Sequence, residues 1–147
     1  MPQIELSEFI PQSASYKIWH PKSFLIEEAE DGIVSITSPK TNSNLTLSSY
    51  SANQNVVEEV LTDFFQDYTK NYTPLSELKI ASLANRIWLE REFQNEKAYW
   101  IWWALSYSNK IILASVNSEE VLSPEDRHLF TFMIDKMEIY LDDHTAS

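Results

Sequence analysis

The sequence predicts an α+β fold, and three observations carry that prediction. Residues 55–73 and 123–141 each repeat apolar side chains at helical spacing. Residues 78–116 alternate as strands broken by short polar turns, which reads as a β-meander. Before the first helical segment, several short runs of β-branched and aromatic residues read as further strands. At 147 residues, the chain is expected to form a single domain over 1–147.

Residues 1–13 carry two prolines and little periodicity, and read as an arm or short edge element. Strand character begins at Ser15, where "SYKIW" sets Tyr16 and Trp19 loosely against Lys17 and Ile18. Phe24 and Ile26 lead to a turn at Glu30-Asp31-Gly32, and Ile33, Val34, Ile36 and Thr37 follow it. Asp-Gly between two such runs predicts a hairpin. "NLTLSSY" adds a strand with Leu45, Leu47 and Ser49 on one face.

In the first helix Val56, Val60, Phe64, Tyr68 and Tyr72 recur at i+4, with Val57, Leu61 and Phe65 beside them. Asn55 is placed to cap it, with Glu58 three residues on, and Pro74 to end it. In the meander, two-residue turns at Asn95-Glu96 and Ser108-Asn109 would set the register. The first pairs Arg91 with Trp100, Leu89 with Trp102 and Trp88 with Trp103. The second pairs Trp103 with Ala114, Ala104 with Leu113 and Leu105 with Ile112. "SPEDRHLF" opens the second helix with Ser123 as cap, Pro124 in the first turn and Asp126 in the capping-box position. Its buried face should be Leu129, Phe130, Met133, Met137 and Leu141, and 142–147 read as a frayed tail.

The run "AYWIWWALSY" holds three tryptophans in four positions. It is apolar on both pleat faces, as a central strand covered from both sides should be. A core role is therefore expected over an aromatic ligand site.

The chain has no cysteine, which excludes disulfides and thiolate chemistry. Its single glycine, where average usage gives about ten, excludes phosphate-cradling and dinucleotide loops. His20, His128 and His144 lie far apart and in no metal-ligand spacing. No cofactor and no metal are expected. The N-terminus lacks the basic and apolar regions of a signal peptide, and no apolar run approaches ~18 residues. A cytoplasmic location follows as the expectation.

The net charge of −11 repels phosphate backbones and anionic membranes, so neither nucleic acid nor membrane is an expected partner. A basic protein is the natural complement. The densest acidic patch is Glu27, Glu28, Glu30 and Asp31 at the hairpin tip, joined by Glu92 and Glu96 near the meander turn. Glu90 and Glu92 share one strand face, with Tyr99 expected opposite Glu92, and Arg91, expected opposite Trp100, reads as a cation–π contact or a partner for a nearby acid.

The order of strands, long helix, meander and C-terminal helix, with "YKIWHP", "GIVSITSP" and "NLTLSSY", resembles the PsbP-like superfamily over roughly residues 14–141. That superfamily includes photosystem subunit P, Mog-type Ran-binding and DcrB-like proteins. The resemblance implies an α/β/α sandwich around a bent antiparallel sheet, and roles in binding and assembly without catalysis. The leading expectation is a cytoplasmic protein-binding domain, in its most specific form an immunity-type protein neutralising a basic toxin or effector. The alternatives are a small-ligand carrier, with Trp88, Trp103 and Tyr107 lining a pocket between helix and sheet, and a hydrolase built around His20.

Overall fold

The computed structural model describes residues 4–83, 85–96 and 98–141. Strands β1 (Leu6–Phe9), β2 (Tyr16–Pro21), β3 (Leu25–Glu28), β4 (Val34–Thr37) and β5 (Asn44–Ser51) precede helix α1 (Glu58–Thr69). Then come β6 (Thr73–Pro74), β7 (Lys79–Leu83), β8 (Arg86–Gln94), β9 (Tyr99–Tyr107) and β10 (Lys110–Ser118). Helix α2 (Pro124–Asp135) and β11 (Glu138–Ile139) close the chain. An eight-stranded antiparallel sheet runs β3-β4-β5-β10-β9-β8-β6, with β7 also paired to β8, and β1-β2-β11 form a second sheet of three strands. The arm of the sequence reading thus contains edge strand β1, while the expected frayed tail, 142–147, lies outside the described residues.

The helices cover opposite faces. Phe130, Met133 and Ile134 of α2 pack with Ile36, Leu47, Ile101, Trp103, Ala114 and Val116. Leu61 and Phe65 of α1 pack with Leu89, Phe93, Ala104, Ile111 and Leu113. Strand β9 lies between β8 and β10 and contributes to both clusters, which is why its sequence is apolar on both faces. Its three tryptophans divide accordingly. Trp103 is fully buried beneath α2. Trp100 and Trp102 lie half-buried on the α1 side, stacked at 5.9 Å, with Tyr72 edge-on to both.

The β3–β4 hairpin forms as expected. Its loop is closed by Ala29 N–H donating to Ile33 and Gly32 N–H donating to Ala29, with Gly32 at φ +89°. The β9–β10 turn also holds its expected register, Trp103 facing Ala114 across Ser108-Asn109. The β8–β9 register is corrected by two residues: Arg91 faces Trp102, Leu89 faces Ala104, Trp88 faces Leu105, and Tyr99 faces Gln94. The cause is a longer connection, in which Asn95 N–H donates to the Ala98 carbonyl and Ala98 N–H to the Asn95 side chain. An even slip leaves every side chain on its expected face. In β2 the inward residues are Tyr16, Ile18 and His20, with Trp19 only half-buried.

Both helices are shorter than their periodicity suggests. Val57, not Asn55, occupies the cap of α1 and makes no side-chain cap bond. Asn55 instead accepts from the Ser108 hydroxyl and Val56 N–H donates to the Ser108 carbonyl, so the β9–β10 turn holds this segment extended. The helix ends at Thr69, before Pro74, because Thr73 and Pro74 pair with Gln94 and Phe93 as β6. Its buried line is Leu61, Phe65 and Thr69, while Val60 and Tyr68 are exposed. Helix α2 starts as read, the Ser123 hydroxyl accepting from Asp126 N–H. It stops at Asp135, and Met137 is buried beyond the helix while Leu141 is exposed. The chain turns there into β11, which pairs with Lys17 and Tyr16 of β2.

Candidate functional site

Because α2 stops at Asp135, the margin of the large sheet at β7 and β8 is left bare on the α2 side. A groove of about 770 Å³ opens there, within the ordinary range for a binding site. The pairing of Leu83 with Arg86 and of Ala81 with Trp88 aligns these four side chains on one face, and they line the groove with Tyr107. The opposite wall is Asp135, Lys136, Met137, Glu138, Ile139 and Tyr140, where the chain descends from α2 into β11.

Arg86 fixes that wall. Its Nη1 donates to the Met137 carbonyl at 2.8 Å and its Nη2 to the Ile134 carbonyl at 3.1 Å. Helix α2 has no basic residue in its last turn, so the strand supplies the cation that satisfies carbonyls at its C-terminus. Burial pushes the Arg86 guanidinium below its ordinary pKa, an effect that Asp135 partly offsets.

Trp88 is held from the other side. Its indole N–H donates to Glu90 Oε1 at 3.2 Å. Arg127 on α2 then joins two carboxylates, Nη2 to Glu90 at 2.9 Å and Nη1 to Glu92, and Tyr99 also donates to Glu92. Burial pushes the Glu92 carboxyl up, but the Tyr99 hydroxyl and the Arg127 guanidinium outweigh it and hold the carboxyl below the usual carboxylate value. Burial and then Glu92 push the Tyr99 phenol well above its ordinary range.

No family model and no curated protein matches the sequence. By structure, the chain is similar to cyanobacterial PsbP (CyanoP) from Synechocystis sp. PCC 6803, with a TM-score of 0.70 and 10% identity over 95% of each chain. The fold is PsbP-like. A crystal structure from Bacteroides thetaiotaomicron VPI-5482 is similar with a TM-score of 0.65 and 14% identity, over 92% of this chain and 48% of that one. The chain therefore spans about half the length of that second protein. Identities this low carry the fold and no function.

Within this PsbP-like fold, Trp88 and Tyr107 line the groove, whereas Trp103 is sealed in the core and does not. The acidic residues form no single patch. Glu27 and Glu28 lie on β3, and Glu30 and Asp31 on the loop after it, all exposed. The register through Val34, Leu47, Ala114, Trp103 and Glu90 puts that loop at one end of the sheet and exposed Glu96 at the other. Glu28 accepts from Gln12 N–H and Asp31 from Ile33 N–H, while Glu92 is committed to Arg127 and Tyr99. Arg91 lies over Phe93, not Trp100, and donates to the Ser76 carbonyl. His20 is buried in β2, with Nδ1 2.8 Å from the Pro21 carbonyl. Among the described residues, no group of three or more His, Cys, Asp or Glu could hold a metal, and His144 lies outside them. Among the same residues, no helix is long and apolar enough to cross a membrane.

Sequence reasoning missed Arg86 and Arg127. Arg127 had a readable signal: it lies three residues before Phe130 and seven before Ile134, on the apolar stripe of α2. A cation on such a stripe must meet buried acceptors. Arg86 had none, since its role depends on where α2 ends.

Proposed function

We propose that this chain is a cytoplasmic, non-catalytic binding domain whose partner is a cationic protein. The observation that carries the reading is the groove beside β7, a concavity walled by Leu83, Trp88, Met137 and Ile139 in which the Arg86 guanidinium and the Trp88 indole are occupied in holding its shape. Arg86 holds the α2 terminus and Glu90 orients Trp88, so the apolar floor is preorganised, as a recognition surface requires. A net charge of −11 favours a basic partner through the long-range field. A basic toxin or effector, neutralised by an immunity-type protein, is the most specific pairing that this charge supports.

The test is affinity selection of folded basic proteins against the immobilised chain, followed by alanine substitution of Trp88. Enrichment of basic proteins whose binding weakens about tenfold with Trp88→Ala supports the reading. Binders that ignore the groove, or none above an acidic control protein, overturn it.

The same volume, with Trp88 and Tyr107 in its lining, also favours a small-ligand carrier. Native mass spectrometry of the chain purified from its host separates the two. A stoichiometric small molecule retained by the wild type and lost in Trp88→Ala would replace the protein partner.

A further inference from the structure

Every residue of β7 is exposed, and among the described residues this strand pairs with β8 alone. Leu83 faces Arg86 across a two-residue connection, so these two exchange their backbone bonds, and the exchange repeats at Ala81 and Lys79. The N–H and C=O groups of Ile80 and Ser82 therefore point away from β8, toward open space.

Such a row invites another extended chain unless charge, proline or a bulge blocks it. The far margin of the sheet, β3, carries Glu27 and Glu28. β7 carries no proline, and its one charge, Lys79, lies at the start of the strand opposite Glu90, while Ile80 is 47% and Leu83 81% exposed. The same strand turns Ala81 and Leu83 into the groove. Free backbone groups and an apolar trough thus lie side by side, the two features that strand addition uses for affinity and for specificity.

We propose that β7 accepts an extended segment of a partner protein as an added strand, with arginine or lysine at alternate positions facing the groove. The proposal rests on the binding-domain reading and gives its mode of recognition. Side chains of an added strand project to one face at every second residue, so those on the α2 side lie over Leu83 and Trp88. A long cationic side chain suits that path: its stem covers Leu83 and Trp88 while its head reaches Asp135 and Glu138. Asp135 meets Lys136 at 3.8 Å in a largely exposed pair of the kind that contributes little, and Glu138, itself half exposed, meets Lys17 at 3.8 Å and accepts from the Tyr140 hydroxyl. A second copy of the chain is the poorer occupant, because it would bring another net charge of −11 to the edge.

The probe is a displayed library of unstructured linear peptides, selected against the full chain and compared with the Ser82→Pro variant. Proline suits an outward-facing edge position, because it removes the free donor and no bond to β8. The expected result is enrichment of peptides alternating basic residues, bound at least tenfold more weakly by Ser82→Pro. Two measurements leave the protein unaltered and keep the test decisive if that variant melts early. N-methylation of alternate peptide amides should abolish binding, and peptide should slow hydrogen exchange at Ile80 and Ser82. Peptides that bind Ser82→Pro and wild type alike overturn the edge while leaving the binding-domain reading in place. So does a library that yields no binder although folded basic proteins are captured. Concentration-dependent self-association of the wild type, absent in Ser82→Pro, would instead assign β7 to a second copy and overturn the cationic partner.

Discussion

Arg127 is the side chain on which the α2 side of the sheet turns. It reaches from α2 to β8 and neutralises Glu90, which is 6% exposed, together with Glu92. Removing one partner of a buried pair leaves the other charge stranded, which is far more damaging than replacing the pair. Arg127→Leu should therefore lower stability by about 3–5 kcal/mol, read by urea unfolding, and adding Glu90→Gln to it should recover part of the loss. A loss below about 0.5 kcal/mol, the range of ordinary surface changes, would remove the network from the stability of the fold.

The same cluster sets a pH dependence. The folded-state pKa of Glu92 lies below its ordinary value of 4.5, so its contribution is present above that value and is lost as pH falls through the folded one. Tyr99 behaves in the opposite sense: raised above its ordinary 10.0, it contributes below that pH and loses its contribution as pH rises further. Unfolding free energy should thus fall below about pH 4.5 and again above pH 10. Glu92→Gln should flatten the acid limb in a pH series of urea melts. An unchanged acid limb would mean that other carboxylates dominate it.

At the scale of elements, what was legible followed from whether local rules had competition. Ser123 caps α2, its hydroxyl accepting from Asp126 N–H, whereas Asn55 looks like an equally good cap and is drawn instead to Ser108. Ser123→Ala should cost about 1 kcal/mol as a lost cap, measured by thermal and urea unfolding. The β9–β10 register was readable because Ser108-Asn109 is a minimal turn. The β8–β9 register was not, because the Asn95 side chain closes a longer loop that propensity does not reveal. Faces survived this error and pairings did not. The aromatic run shows the same split between pattern and place: it marked β9 as central, but not which tryptophan is sealed. Trp103→Ala should destabilise by about 3–5 kcal/mol as a buried aromatic, and Trp102→Ala by clearly less, since Trp102 is only half-buried. Equal losses would place Trp102 in the core as firmly as Trp103.

For the whole molecule, the groove was the least legible feature, since it exists only because α2 ends early and Arg86 draws its terminus toward β8. Two of its residues, Trp88 and Tyr107, were nevertheless singled out together with Trp103 as the lining of a pocket between helix and sheet, and Trp103 is sealed in the core instead. Charge acts at a longer range than this groove. If the partner is cationic, the acids should speed encounter more than they deepen affinity, since exposed charges steer association through the summed field. Glu28 and Asp31 are exposed at one end of the sheet, where Glu28 accepts from Gln12 N–H and Asp31 from Ile33 N–H. Reversing both with Glu28→Lys and Asp31→Lys should leave the fold intact, because exposed acids contribute little to stability. Association with the captured basic partner, followed by stopped flow, should slow several-fold at low salt and lose part of its salt dependence. Dissociation should change much less where the bound state is held, as proposed, by the groove and the edge of β7. An on-rate indifferent to both the substitutions and the salt would confine the acidity of this chain to solubility, and leave recognition to the apolar floor at Leu83 and Trp88.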